Sequence, residues 1–271
     1  MIKTLVLNTI IKEYRNKSLI PIFLVTFAYI LGVSYGLEAI EETAKASGFD
    51  GFINFKDQRL TFTLSFVQFW AVFICAIMGT GLINSEFNNN IISTFLVLPL
   101  KRSTYLLSRL FGGSLILGLF LFICIVVIYI FNWAQLSSLS YFGKTLLCLL
   151  ILFAVNFSSL LIAVLINLFT SEKIGLMFTL LVFTLIYTSN IYVSLKTTDQ
   201  ILEQGLGIYS SLALLVHYLF PQFGNMVWMG SSLFSKDPQS MNQVLSQSTH
   251  FVITSGLWMW CAFFVFKRKE L

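Results

Sequence analysis

Six long apolar runs restrict the fold of this sequence more than any other feature. A helix needs about 20 apolar residues to cross the hydrocarbon core of a bilayer. The runs occupy 18–37, 60–85, a stretch within 110–131, 145–171, 174–195 and 249–266. Only 11% of the 271 residues are charged, whereas an ordinary soluble domain has about 25%. Because a core of this size could not bury so much apolar surface, the sequence predicts an all-α polytopic membrane protein with six transmembrane helices.

The uncharged stretch 204–235 is also apolar, but glycines and Pro221 interrupt it, which favours broken helices over one clean span. With six spans and the N-terminus inside, eleven of the 17 basic residues lie on the cytoplasmic side, as the positive-inside rule requires. These are Lys3, Lys12, Arg15, Lys17, Lys101, Arg102, Arg109, Lys173, Lys267, Arg268 and Lys269. A seventh span would place the last three outside. We therefore expect both termini to be cytoplasmic, and 196–248 to be an outer segment whose re-entrant helices pack on spans five and six.

The first 17 residues have the pattern of an amphipathic helix. Apolar residues recur at every fourth position from Ile2 to Tyr14, and Lys3, Asn8 and Lys12 lie on the opposite face. The segment is too mixed for a signal peptide, and no small-residue cleavage site follows the first apolar run. We expect residues 1–17 to form an interfacial helix along the cytoplasmic face of the bilayer.

The segment 86–109 is unusually polar for its place between two predicted spans, and its sequence is EFNNNIISTFLVLPLKRSTYLLSR. Residues 88–98 predict a short helix with Ile91, Phe95 and Leu98 on one face, and Pro99 ends it because proline lacks an amide hydrogen. The expected topology makes this segment cytoplasmic. A short helix exposed there favours contact with a cytosolic partner; the alternative is a plain loop that rests on lipid headgroups.

The order of these elements resembles the permeases of type-two ABC exporters. An acidic residue, a helix and a proline–x–basic element follow the second span, here as Glu86, 88–98 and 99–102. The amphipathic N-terminus, the six spans, the outer stretch YLFPQFGNM and the terminal FKRKEL are also similar, so the resemblance covers 1–271 as a single permease domain. Within that family, the chain is most similar to the sodium-export and nitrous-oxide-reductase maturation permeases.

The resemblance implies a half-transporter in the inner (plasma) membrane. Its expected partners are membrane lipid, a second permease in a homodimer or heterodimer, and a separate cytoplasmic ABC ATPase that binds ATP and Mg. The residues implied in coupling to that ATPase are Glu86, Ile91, Phe95, Leu98, Pro99 and Arg102. Spans two and five line the path in the family, and the candidate path residues are Phe66, Gln68, Trp70, Asn156 and Asn190. Interhelical hydrogen bonding and packing are an equal alternative for them.

The sequence contains few patterns that are typical of nucleotide-binding or metal-binding sites. SLSYFGKT at 138–145 ends like a phosphate-binding loop, but Ser138 stands where the first glycine belongs, so we expect no nucleotide site of its own. The four cysteines lie singly in apolar runs and fit buried hydrophobes. His217 could form a metal site with Met226 and Met229, although packing methionines beside a histidine fit this pattern better.

Two other classes of function compete with an ATP-driven permease. A secondary transporter or channel would work without an ATPase, but ion-coupled transporters usually need an ionisable residue in mid-membrane, and the predicted spans have none. A membrane enzyme or structural anchor would show no transport at all. The net charge of +5 fits membrane topology rather than nucleic-acid binding.

Overall fold

A computed structural model describes residues 2–15, 19–47, 55–88, 102–131, 139–196, 207–234 and 239–268. Throughout these ranges the regular structure is α-helical. The helices are α1 Ile2–Arg15, α2 Leu19–Ala46, α3 Phe55–Asn88, α4 Arg102–Phe131, α5 Leu139–Asn167, α6 Glu172–Leu195, α7 Ile208–Leu219, α8 Phe223–Ser232 and α9 Met241–Arg268.

Five of these helices are long and apolar enough to cross a membrane. They are α3 through Thr63–Ile83, α4 through Arg102–Ile130, α5 through Tyr141–Asn167, and the whole of α6 and α9. The first predicted span lies in α2, whose described apolar part, Phe23–Val33, is shorter. The prediction of an all-α polytopic membrane protein is confirmed.

Several helices extend beyond the apolar runs that predicted them. The helix α4 begins at Arg102, eight residues before the apolar run that starts at 110 and beside Ser103, whose residue type is typical of an N-cap. The helix α9 begins at Met241 rather than at 249. A run of apolar residues marks only the part of a helix that needs lipid or a core around it. Polar residues continue the same backbone hydrogen bonds, so Arg109 and the first two turns of α9 remain helical.

The helices α3 and α5 form the centre of the bundle. In each of them, 67% of the most apolar stretch is buried, against 33% in α6 and 22% in α9. Gly79 lets α3 approach α5 closely, since a Cβ atom at this position would overlap Ala163. The helices α4, α6 and α8 surround this pair, whereas much of the apolar surface of α6 and α9 faces outward, as it does on helices that contact lipid.

Candidate functional site

The predicted coupling segment connects α3 and α4. Glu86 lies in the last turn of α3, and Arg102 is the first residue of α4. Ile91, Phe95, Leu98 and Pro99 lie outside the described residues, so their role in contacting an ATPase stays a prediction. The described residues show which side chains contact the start of α4, where this segment ends.

The start of α4 is joined to the end of α9. The guanidinium Nη1 of Arg102 donates a hydrogen bond of 3.1 Å to the carbonyl oxygen of Lys267. One turn further on, the buried ring of Tyr105 stacks on Phe266, with 6.0 Å between ring centroids and 7° between planes. A cation beside the carbonyl end of a helix is favourable, because the last carbonyls lack intrahelical partners. The two helix ends therefore form one packed unit.

The same part of α4 also packs against α1. Arg109 is only 3% exposed, and its Nη1 donates a hydrogen bond of 2.7 Å to the hydroxyl of Thr9 on α1. Its guanidinium carbon also lies 5.3 Å from the centre of the Tyr105 ring. Gly112 permits the close approach, because a Cβ there would come within 2.7 Å of the Thr9 Cβ. We call the region formed by α1, 102–112 of α4 and 264–268 of α9 the braced end.

Two of the predicted path residues bind each other in the core. Gln68 of α3 donates through Nε2 to Asn156 Oδ1 of α5 at 3.1 Å, and the reverse bond measures 3.4 Å. Both residues are at most 1% exposed. Cys75 adds a long contact of 3.5 Å to the Asn156 side chain. This is the interhelical hydrogen bond that the sequence left open as an alternative, and the path role remains a prediction.

The aromatic residues of α3 point in two directions. Phe66 stacks on Tyr29 of α2 at 4.2 Å, and Trp70 stacks on Phe73 at 5.4 Å. Between them, Phe69 is 57% exposed and meets Tyr187 of α6 edge-on. A cavity of about 270 Å³ separates α3 from α6 at this place. Phe69 lies within the aromatic stretch 66–70 that the sequence marks as a candidate for the path, and the exposure of its ring depends on how α6 packs.

The predicted path residue Asn190 belongs to a polar cluster. His217 of α7 donates through Nδ1 to Asn190 Oδ1 at 3.0 Å, and its Nε2 accepts from Gln222 Nε2 at 2.8 Å. Gln222 Oε1 in turn accepts from Asn225 of α8 at 2.9 Å. These four residues, which we call the amide cluster, join α6, α7 and α8. Since an amide oxygen can only accept and an amide nitrogen can only donate, this arrangement requires a neutral imidazole with its single proton on Nδ1.

Two effects keep His217 uncharged at neutral pH. Burial disfavours the imidazolium, and the neighbouring His250, whose ring centroid lies 6.4 Å away, adds repulsion when it is protonated. Together they lower the pKa of His217 from 6.5 to about 4. Among the described residues, no three of His, Cys, Asp or Glu come together as a metal site would require. Met226 and Met229 are both buried, and Met229 Sδ accepts a long hydrogen bond of 3.7 Å from Ser248.

The helical structure is interrupted between α7 and α8, where Pro221 predicts an interruption. The helix α9 covers the break. His250 Nε2 contacts the carbonyl oxygen of Tyr218 at 3.1 Å, and Trp258 Nε1 donates to that of Leu219 at 3.0 Å. The Trp258 ring also stacks on Phe220 at 4.7 Å. The helix α7 packs on α6, which contains predicted span five, and α9, which contains predicted span six, covers the interruption, as expected for irregular backbone that protein must cover. The helix α8 also packs on α5 and α3, which the sequence did not predict.

Comparison with known proteins gives the family. A search among curated proteins found no match to this sequence. A family model described as ABC-2 family transporter protein matches residues 7–271, which include every helix from α2 to α9 and most of α1. The chain therefore belongs to the ABC-2 family of transporter proteins and is a membrane permease subunit of an ABC transporter.

Proposed function

We propose that this permease serves an exporter, that two permease subunits enclose the path, and that a separate cytoplasmic ATPase drives it. The family match over residues 7–271 is the observation that carries the proposal. ATP and Mg would bind to the ATPase, because the sequence SLSYFGKT lacks the first glycine of a phosphate-binding loop. Transport of a substrate then requires mechanical contact between the two subunits.

Coupling is proposed to run through residues 86–99 into the braced end. The contacts of Arg102 with Lys267 and of Arg109 with Thr9 support this route, because they tie the start of α4 to α9 and α1. A displacement of the coupling segment would therefore move three helices together rather than bend α4 alone. Close-packed interiors transmit such displacements, since they deform little.

The braced end is proposed to face the cytoplasm. It carries Lys3, Lys12, Lys267 and Arg268, which belong to both ends of the chain, and basic residues next to spans are retained on the cytoplasmic side. Both termini would then be cytoplasmic, with α1 along the inner surface of the membrane. The amide cluster and the α7–α8 break would belong to the outer segment.

Cysteine labelling in intact cells tests this topology. We expect Lys3→Cys and Arg268→Cys, both exposed in the structure, to resist a membrane-impermeant thiol reagent in a background without native cysteines. Leu5 is a poor choice for the same test, because it is only 4% exposed. Labelling of position 268 but not of position 3 would mean that the α7–α8 segment crosses the membrane.

The path is proposed to follow the groove between α3 and α6. These helices contain predicted spans two and five, and Phe69, Thr184 and Tyr187 line the cavity between them. The hydrogen-bonded pair of Gln68 and Asn156 would then hold α3 against α5 behind the path rather than contact the substrate. Phe66, Trp70 and Asn190 remain candidates at the margins of the same groove.

Co-purification from native membranes tests the function itself. We expect the permease to retain a partner that carries a phosphate-binding loop, and transport in reconstituted vesicles to require that partner and ATP. Transport that persists without the ATPase would instead favour a secondary transporter or channel. A chain that assembles with other proteins but moves no solute would be a structural anchor.

A further inference from the structure

A polar cavity of about 680 Å³ lies between α6, α8 and the start of α9. Five uncharged amides, Asn190, Asn225, Gln239, Gln243 and Gln247, line it together with His217 and Trp228, and Ile191 and Val193 add apolar surface. Among the described residues that line it, none is Asp, Glu, Lys or Arg. The described part of the wall therefore offers polar groups and no counter-charge to an ion.

Three polar atoms around this cavity are buried and have no hydrogen-bond partner within the described parts of the chain. They are Asn190 Nδ2, Gln239 Oε1 and Gln247 Oε1. The bonds of the amide cluster all run in one direction, from Asn225 through Gln222 and His217 to the oxygen of Asn190. That direction leaves the Asn190 amide nitrogen as a donor, while the two glutamine oxygens are acceptors.

Unpartnered buried polar atoms are unfavourable when nothing replaces the hydrogen bonds that they make to water in the unfolded chain. Amide side chains both donate and accept hydrogen bonds, so a ligand that fits this lining must do the same. Hydroxyl groups have this property, because each one donates one hydrogen bond and accepts up to two. Trp228, which is 57% exposed at the cavity wall, adds an apolar face with a polar edge of the kind that suits an amphipathic ring.

An apolar crevice of about 420 Å³ adjoins the polar cavity on the other side of α8. Residues of α5, α8 and α9 line it, among them Leu150, Met229, Phe251 and Val252. Leu150 is 55% exposed and Val252 is 67% exposed, so the crevice opens sideways on the surface of the bundle where lipid chains lie. Gln239 lines both the crevice and the polar cavity, and thus connects them.

We propose that the cavity and the crevice together bind one amphiphile, with an uncharged polyhydroxylated headgroup among the amides and a hydrocarbon chain in the crevice. The amides that line the cavity select the headgroup, and the lateral opening of the crevice selects a molecule that arrives from the bilayer. This inference goes beyond the proposed function, because it concerns binding alone and requires neither ATP nor an ATPase.

Photo-crosslinking in lipid nanodiscs tests the proposal on the full chain. The first probe is a monoglucosyl diacylglycerol with a diazirine in its acyl chain, and the second is a phosphatidylcholine with the same chain. We expect the glucolipid to label the crevice residues of α5, α8 and α9 at least about fivefold more than the phosphatidylcholine. Each hydrogen bond that the amides gain with the headgroup contributes roughly this factor.

Matched variants separate the two halves of the site. Gln239→Leu with Gln247→Leu removes both unpartnered acceptors and should abolish the preference for the glucolipid. Asn242→Leu is the control, because this amide lies on the same helix as Gln247, is exposed and lines neither cavity. Leu150→Trp fills the crevice from its exposed rim, so it should reduce crevice labelling by both probes without disturbing the core.

Three results would overturn the proposal. Equal labelling by the two lipids would show that the amides do not select the headgroup and that the cavity holds water only. If the preference for the glucolipid remained after Gln239 and Gln247 were both replaced, other residues would select the headgroup. If soluble methyl glucoside competes as strongly as the unlabelled glucolipid at the same concentration, the hydrocarbon chain contributes nothing and the ligand is a free sugar.

Discussion

The braced end and the amide cluster are both polar regions inside an apolar bundle, yet they are built in opposite ways. At the braced end, a buried arginine and a stacked tyrosine join α4 to helices from both ends of the chain. In the amide cluster, neutral side chains join α6, α7 and α8 through a chain of hydrogen bonds and leave a cavity beside it. A charged, close-packed contact suits transmission of movement, whereas an open neutral one suits binding.

Removal of Arg109 from the braced end should lower the stability of the protein severely. Arg109→Ala deletes the hydrogen bond to Thr9 and the contact with the Tyr105 ring, and hydrogen bonds to charged groups contribute about 1.5–3 kcal/mol. We expect the free energy of unfolding in detergent micelles to fall by about 2–3 kcal/mol, with α1 becoming accessible to protease. Thr9→Ser keeps the accepting hydroxyl and is the control. If both variants were equally stable, α1 would not be held by this contact.

The amide cluster should respond to pH where the braced end does not. Because the pKa of His217 is lowered from 6.5 to about 4, its neutral form stabilises the fold fully above pH 6.5. That contribution decreases as the pH falls from 6.5 to about 4, and the total loss is up to about 3 kcal/mol. Denaturant titrations across this range measure it. His217→Gln should flatten this part of the profile, and an unchanged profile would mean that another group titrates there.

The amide pair in the core should show the smallest effect. Gln68→Leu leaves Asn156 without its amide partner, although the contact from Cys75 remains. Hydrogen bonds between membrane helices contribute about 0.6 kcal/mol on average, so we expect a loss of that order. A double-mutant cycle with Asn156→Leu isolates the pair, since the double variant should lose less than the sum of the single ones. A strictly additive result would show that the two amides do not interact.

The helices of this protein were predictable from sequence because lipid imposes a simple rule on them. Any apolar run of sufficient length must be helical when no water can satisfy its backbone, and α3, α5 and α6 follow that rule closely. The start of α9 was missed, since the mixed sequence from Met241 to Ser248 is less apolar than the run from 249 to 266. A local signal was present there, because Gln243 N donates to Ser240 Oγ and Ser240 N donates to Gln243 Oε1, both at 3.4 Å, as in a capping box.

The partners of the polar side chains were not predictable, because they are set by tertiary packing. Thr9 and Arg109 are 100 positions apart, and Asn190 and His217 are 27 apart. The sequence grouped His217 with two methionines of the next helix, whereas the structure surrounds its ring nitrogens with amides. Pro221 did mark the break between α7 and α8, since a missing amide hydrogen is a local property.

The most direct test of coupling to the ATPase through residues 86–99 compares two substitutions in the coupling segment. Phe95→Ala removes a predicted apolar anchor, whose loss costs about 2 kcal/mol or more at an interface, whereas Lys101→Ala removes a charge at the rim that is worth less. Both variants should insert and dimerise like the unmodified protein. We expect Phe95→Ala to lose the ATPase on co-purification and to abolish transport, while Lys101→Ala keeps both. If Phe95→Ala left ATPase binding and transport-coupled ATP hydrolysis unchanged, residues 86–99 would not couple the subunits.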